Sequence, residues 1–180
     1  CIDSRHSAGQ EESEDILSAI KWLNQFQKIE TNNIGIHGIS GGAIAALVAS
    51  VKNQNLRAFS LESPIFDFNK AAKDEVIYQG FPGFLWNAAY WAGRLRGIDL
   101  MEISPKDAVD NIKDRKIQIL HGKKDSRVKY FNSIDLVNYA KSRGIEVKLH
   151  TFNNADHTEA LLTETKRYSE ILVNFFNEVL

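Results

Sequence analysis

At 180 residues, with 43% hydrophobic and 25% charged side chains, the chain holds enough apolar material for one buried core and too little length for two comfortable domains. A formal net charge of -1 gives no general pull toward nucleic acid or an anionic membrane, and no apolar run reaches membrane-spanning length. The single cysteine, Cys1, excludes an internal disulfide, so a reducing, cytoplasmic setting is expected for one domain over residues 1–180. Cys1 to Asp3 reads as the end of a strand, as if the chain were cut within it, which leaves room for a targeting segment upstream of Cys1. A helix follows, started by Glu11-Glu12 or Ser13, with Ile16, Leu17, Ile20, Trp22, Leu23 and Phe26 on its apolar face, and ended by Thr31-Asn32-Asn33.

Asn33 to His37 alternates like a strand and runs through a glycine cluster into the helix-forming residues Ala43, Ile44, Ala46, Leu47 and Val48. Leu56 to Leu61 is the next strand, ended at Ser63-Pro64. Residues 64–104 break the rhythm. Phe81-Pro82-Gly83 interrupts them, and Phe84, Leu85, Trp86, Tyr90 and Trp91 concentrate aromatic surface, which reads as a small cap or pocket wall, with plain core packing the commoner use of such a stripe. Lys116 to His121 is a strand ended by Gly122; a helix over 128–141 is capped by Gly144; Ile145 to Phe152 is the last strand, and Glu159 to Leu180 reads as one long amphipathic helix. Alternating strands and helices predict an α/β fold, a doubly wound, mainly parallel sheet with ligand chemistry beyond the carboxyl ends of its strands.

Gly38-Ile39-Ser40-Gly41-Gly42 is a G-x-S-x-G element set between a strand and a helix, the context in which a sharp turn holds a serine hydroxyl in the open. Gly38 and Gly42 are expected to avoid collisions across that turn, and Gly41 to offer its backbone N–H to a developing oxyanion beside a positive helix end. The glycines at 35, 38 and 41 miss the dinucleotide-binding spacing, and no Gly-Lys-Ser/Thr closes a phosphate loop.

Two further groups follow strands in the same way: Asp125, in the loop after the strand at 116–121, and His157, after the strand at 145–152. Serine needs a neighbour to take its proton, imidazole can do so near neutral pH, and a carboxylate fixes the imidazole tautomer. Ser40 as nucleophile, His157 as base and Asp125 as acid follow, with Asp156 the weaker candidate for the acid. His37, His121 and His150 read as structural, and no metal or cofactor motif is present.

With these residues in view the chain resembles the carboxyl-terminal two-thirds of an α/β-hydrolase, close to the dienelactone hydrolase and prolyl oligopeptidase-like branches. The blocks that carry the likeness are Asp3-x-Arg5 with Gly9, Ala19 to Leu23, Gly38 to Gly42, Ser104-Pro105, His121-Gly122 with Asp125, and His157. The resemblance implies cleavage of a small ester, amide or short peptide through an acyl-enzyme, with an esterase preferred over a serine peptidase because the segment between Ser40 and Asp125 is compact. It also implies that the first strands of the fold and a loop giving a second oxyanion N–H precede the strand ending at Asp3, so that these residues alone, lacking those strands, represent an incomplete enzyme. A noncatalytic hydrolase-fold protein that binds a ligand in the same cleft is the competing expectation. Neither nucleic acid nor membrane is an expected partner, and the sequence carries no signal for an oligomeric state.

Overall fold

The computed structural model describes residues 7, 9–26, 33–97, 99 and 102–180. The strand end expected at Cys1 to Asp3, the Asp3-x-Arg5 loop and Thr31-Asn32 lie outside these residues, but the first helix already ends at Leu23, with Asn24 to Phe26 in a turn, well before the stop expected at Thr31-Asn32-Asn33. Helix α1 (Gln10–Leu23) starts where the Glu12 carboxylate accepts the Gly9 N–H at 2.9 Å and the Ser7 hydroxyl at 2.7 Å, satisfying donors that no helix carbonyl can reach. Then come β1 (Ile34–Ile39), α2 (Gly41–Lys52), β2 (Leu56–Glu62), α3 (Phe68–Tyr78), α4 (Leu85–Leu95), α5 (Pro105–Asp110), β3 (Lys116–Gly122), α6 (Phe131–Ser142), β4 (Val147–Phe152), α7 (Ala160–Thr163) and α8 (Thr165–Val179).

The strands form a parallel sheet in the order β1-β2-β3-β4, so their carboxyl ends share one rim. A register irregularity places Leu56 opposite Ile34 but Ala58 opposite Gly35, which brings Leu56 onto the same face as Phe59 and Leu61. On that face α1, α2, α5 and α6 bury Ile20, Leu47, Val109 and Leu136 against Phe59, Leu61, Ile117 and Ile119. The opposite face carries Leu120 and Phe152 under Tyr168 of α8. It is also polar: Tyr168 Oη donates to Glu62 Oε2 at 2.6 Å and lies 2.8 Å from His37 Nε2, while Gln118 Nε2 donates to Ser60 Oγ at 3.0 Å. Buried polar groups of this kind cost little only because each has a partner.

Arg115, almost fully buried, donates from its guanidinium to the carbonyls of Ser50, Asn53, Leu56 and Asn111. It thereby closes the C-terminal end of α2 onto the start of β2. Gly144, at φ 74, follows α6 as expected, and Ile145 N–H reaches back to the Ala140 carbonyl at 2.9 Å.

Three further expectations change. The helix expected over 128–141 begins at Phe131, because the Val128 carbonyl accepts from the His121 ring at 2.9 Å while Asn132 N–H goes to Lys129 instead. The helix expected over Glu159 to Leu180 is broken at Glu164 into α7 and α8. Of the aromatic stripe in 64–104, Trp86 alone is buried, whereas Phe84 and Trp91 are 70% and 62% exposed. The stripe is therefore not core: α4 turns one aromatic edge toward the sheet rim and the rest outward.

Candidate active site

Ser40 is the residue between β1 and α2, held at φ 52 and ψ -114, a backbone state that L residues rarely adopt. Its N–H donates to the Glu62 carbonyl at 2.8 Å, tying the turn to the end of β2. Gly38 permits the turn, since a Cβ there would stand 2.5 Å from the Gly42 carbonyl oxygen. The parallel expectation for Gly42 does not hold, because a Cβ at that position meets nothing within 4 Å. Gly41 faces equally open space and begins α2, so its N–H is among those that no intrahelical carbonyl reaches.

The structure brings the three sequence-predicted side chains together. His157 Nε2 is 3.0 Å from Ser40 Oγ, and His157 Nδ1 is 2.9 Å from Asp125 Oδ2 and 3.1 Å from Oδ1. The loops that carry them are laced to each other: Lys123 N–H donates to the Phe152 carbonyl at 2.8 Å and Lys124 N–H to the Ala155 carbonyl at 3.1 Å. Gly122 makes this close approach possible, because a Cβ there would strike the Ala155 carbonyl.

Asp125 has no exposed side-chain surface, while the His157 side chain is 14% exposed. Burial pushes the Asp125 carboxyl up, but the His121 ring nitrogen 3.2 Å away and hydrogen bonds from His157 and Ser63 outweigh it and hold the group well below the usual carboxylate range. Ser63 Oγ donates to Asp125 Oδ2 at 2.8 Å, and the N–H groups of Arg127 and Val128 donate to Oδ1 at 3.1 and 2.7 Å. Ser63 and His121 were not singled out as site residues in the sequence. The only signal for Ser63 is a polar residue closing a buried strand ahead of Pro64. Among the described residues Asp156 contacts no imidazole nitrogen: its carboxylate accepts from the Ser126 and His157 N–H groups, both at 2.7 Å, and so joins the two loops.

Beside Ser40 and Gly41 lies a cleft of about 440 Å³, walled by Ile65, Phe68, Val76 and Trp86. Trp86 is set by an edge contact with Phe68, ring centroids 5.7 Å apart, and by donation from Nε1 to Asn69 Oδ1 at 3.3 Å. At the cleft margin Arg127 makes a two-pronged bond to Glu75, both arms 2.8 Å, joining α3 to the Asp125 loop. The Arg127 hydrogen bond holds the Glu75 carboxyl below its ordinary range. A larger groove of about 600 Å³ runs along β4 and α8, and neither Ser40, Asp125 nor His157 lines it.

A parallel sheet flanked by helices, with a serine on a strained strand-to-helix turn, defines the α/β-hydrolase fold. Solved structures with that fold include a puromycin-hydrolyzing peptidase of Mycobacterium tuberculosis, at TM-score 0.78 and 20% identity over 98% of this chain and 26% of that one. An acylaminoacyl peptidase of Pyrococcus horikoshii matches at TM-score 0.74 and 24% identity, covering 96% of this chain and 28% of its own. An esterase of Pyrococcus furiosus gives TM-score 0.73 and 19% identity over 96% of this chain and 63% of that one. The family model for the prolyl oligopeptidase family matches residues 3–180, and the chain belongs to that family. Among curated proteins, the inactive dipeptidyl peptidase 10 of Rattus norvegicus is 24% identical over 174 residues. The alignment takes in 96% of this chain and 20% of that relative, so the chain spans about a fifth of its length.

Proposed function

We propose that this chain is the catalytic portion of a serine hydrolase that cleaves an amide, peptide or ester bond by acyl transfer to water. In this reading Ser40 Oγ attacks the substrate carbonyl carbon while His157 Nε2 takes its proton, and Asp125 holds the Nδ1–H and stabilises the imidazolium. The tetrahedral oxyanion sits against the Gly41 N–H at the positive end of α2. Collapse breaks the bond to the leaving amine or alcohol, which receives the proton from His157, and leaves an ester on Ser40. Water then attacks that ester, giving its proton to His157, and the carboxylic acid departs as the Ser40 hydroxyl is restored. The observation that carries the reading is the unbroken line of contacts from Ser40 through His157 to Asp125, at 3.0 and 2.9 Å.

Amide and peptide bonds fit at least as well as the esters favoured by the compact stretch between Ser40 and Asp125, since both peptidases and an esterase share the fold. The cleft walled by Phe68, Val76 and Trp86 suits an apolar group next to the scissile bond. A panel of aminoacyl-naphthylamides and p-nitrophenyl esters, assayed with the full-length protein and its Ser40→Ala variant, tests this. Turnover of either class that disappears in the variant supports the reading, and no turnover of any member contradicts it. The second reading, a noncatalytic binder, is favoured by the likeness to a relative named as inactive. Turnover that depends on Ser40 excludes it.

A further inference from the structure

We propose that His121 is a positioning residue for the acid of the site: its Nε2–H holds the Val128 carbonyl and faces the Asp125 carboxylate, which keeps that carboxylate in line with His157. The inference rests on the roles given above to Ser40, His157 and Asp125, and it adds a second imidazole to the same carboxylate.

His121 lies near the end of β3 with its side chain fully buried. Its Nε2 is 2.9 Å from the Val128 carbonyl oxygen and 3.2 Å from Asp125 Oδ2. A carbonyl oxygen can only accept, so Nε2 carries the hydrogen, and that one N–H serves Val128 while facing the carboxylate. In this tautomer Nδ1 presents a lone pair to Ser133 Oγ, 2.6 Å away and itself buried on α6. Both ring nitrogens are thereby spoken for, and the ring cannot flip without losing both bonds. Tyr130 stands edge-on to the ring with centroids 5.5 Å apart, which leaves no room for it to swing out.

The consequence reaches Asp125 by two routes. The Nε2–H adds positive potential 3.2 Å from Oδ2, the oxygen that accepts from Ser63 at 2.8 Å and from His157 at 2.9 Å. Through Val128 it also fixes the peptide whose own N–H grips Oδ1 at 2.7 Å. A carboxylate left to rotate would surrender the His157 Nδ1 bond part of the time, and the imidazole would lose the orientation that aims Nε2 at Ser40.

Two replacements separate positioning from packing. His121→Phe keeps a ring against Tyr130 and removes the N–H; His121→Gln gives up the ring but can place an amide N–H near the Nε2 site. In the full-length protein, His121→Phe is expected to lower kcat by roughly 10- to 100-fold with KM within about twofold. His121→Gln is expected to recover most of that, to within about fivefold of the parent. Ser133→Ala, which loosens the far side of the ring, should fall between the two. A packing role predicts the reverse order, Phe better than Gln, and that result overturns the proposal. Should His121→Phe fail to fold, a His121→Gln enzyme impaired as severely as 100-fold does the same.

A second readout does not depend on turnover. The His157 Nδ1–H shared with Asp125 should give a far-downfield proton resonance that persists in His121→Gln and is lost to solvent exchange in His121→Phe. If the resonance is unchanged in His121→Phe, positioning by His121 is wrong. If the full-length protein turns over no substrate, the hydrolase reading fails, while this resonance still decides the role of His121.

Discussion

At the sheet rim, Asp125 is sealed from solvent and receives donors from the end of β2, from His157 and from its own loop, whereas the α3–α4 hairpin turns Phe81, Phe84 and Trp91 outward at 59%, 70% and 62% exposure. The two regions meet at one cleft, where Ser40 comes from the rim and Trp86 from the hairpin. The rim spends backbone strain and buried polar groups on holding three side chains in line. The hairpin fixes Phe68 and Trp86 and leaves its outer surface unconstrained. Substitutions at the rim should therefore act on chemistry, and those on the hairpin on substrate preference or on nothing measurable.

The largest effect belongs to the rim. Ser40→Ala is expected to lower kcat by about 10⁵- to 10⁶-fold with the far-ultraviolet spectrum unchanged, and Asp125→Asn by about 10⁴-fold, since the amide favours the wrong imidazole tautomer. A loss under tenfold in either, measured by initial rates, would remove the rim from the chemistry. Next comes the hairpin's inward edge: Trp86→Ala should cost about 2–4 kcal/mol in a denaturation titration and change the ranking of substrates rather than abolish turnover. An unchanged ranking would show that the hairpin forms no part of the substrate cleft.

Acidification sharpens the contrast from the side of stability. Burial lowers the pKa of His37, so between its folded and unfolded values the unfolded chain binds the extra proton. Stability is therefore full above about pH 6.5 and begins to fall as the pH drops through that value. The depressed Asp125 carboxyl extends the loss into the carboxylate range, below about pH 4, where the unfolded chain is again the better proton acceptor. Urea midpoints followed across pH should show two stages, with His37→Gln shrinking the upper one, to which His150, also lowered by burial, contributes the rest, and leaving the lower. Smallest of all, Ser40→Gly should raise stability over Ser40→Ala by about 1 kcal/mol by relieving the positive φ, while Trp91→Ser stays within about 0.5 kcal/mol of the parent.

How much of this could be read in the chain follows the same division. Ser40 was legible because G-x-S-x-G sat between strand and helix patterns, and Asp125 and His157 because each follows a strand whose carboxyl end must share the rim. Ser63 was not, since it reaches Asp125 only once parallel pairing sets the ends of β2 and β3 side by side. His121 lies four residues before Asp125, and nothing in strand alternation tells a histidine that only packs from one whose N–H holds the backbone around a carboxylate. Apolar spacing gives no sign of helix α5, whose signal is local: Ser104-Pro105 with Asp107 carries a capping box and proline at the first helical position. The outward aromatics of α4 defeat hydrophobic periodicity altogether, because the pattern reports apolar spacing and not what lies opposite.

The central claim is that Ser40 is a nucleophile activated by His157. Incubating the full-length protein with a fluorophosphonate and mapping the modified peptide tests it directly. The account predicts a single adduct on Ser40 that forms slowly or not at all once His157 is replaced by Gln. A full-length protein that stays unlabelled, or one labelled at the same rate without the imidazole, contradicts it.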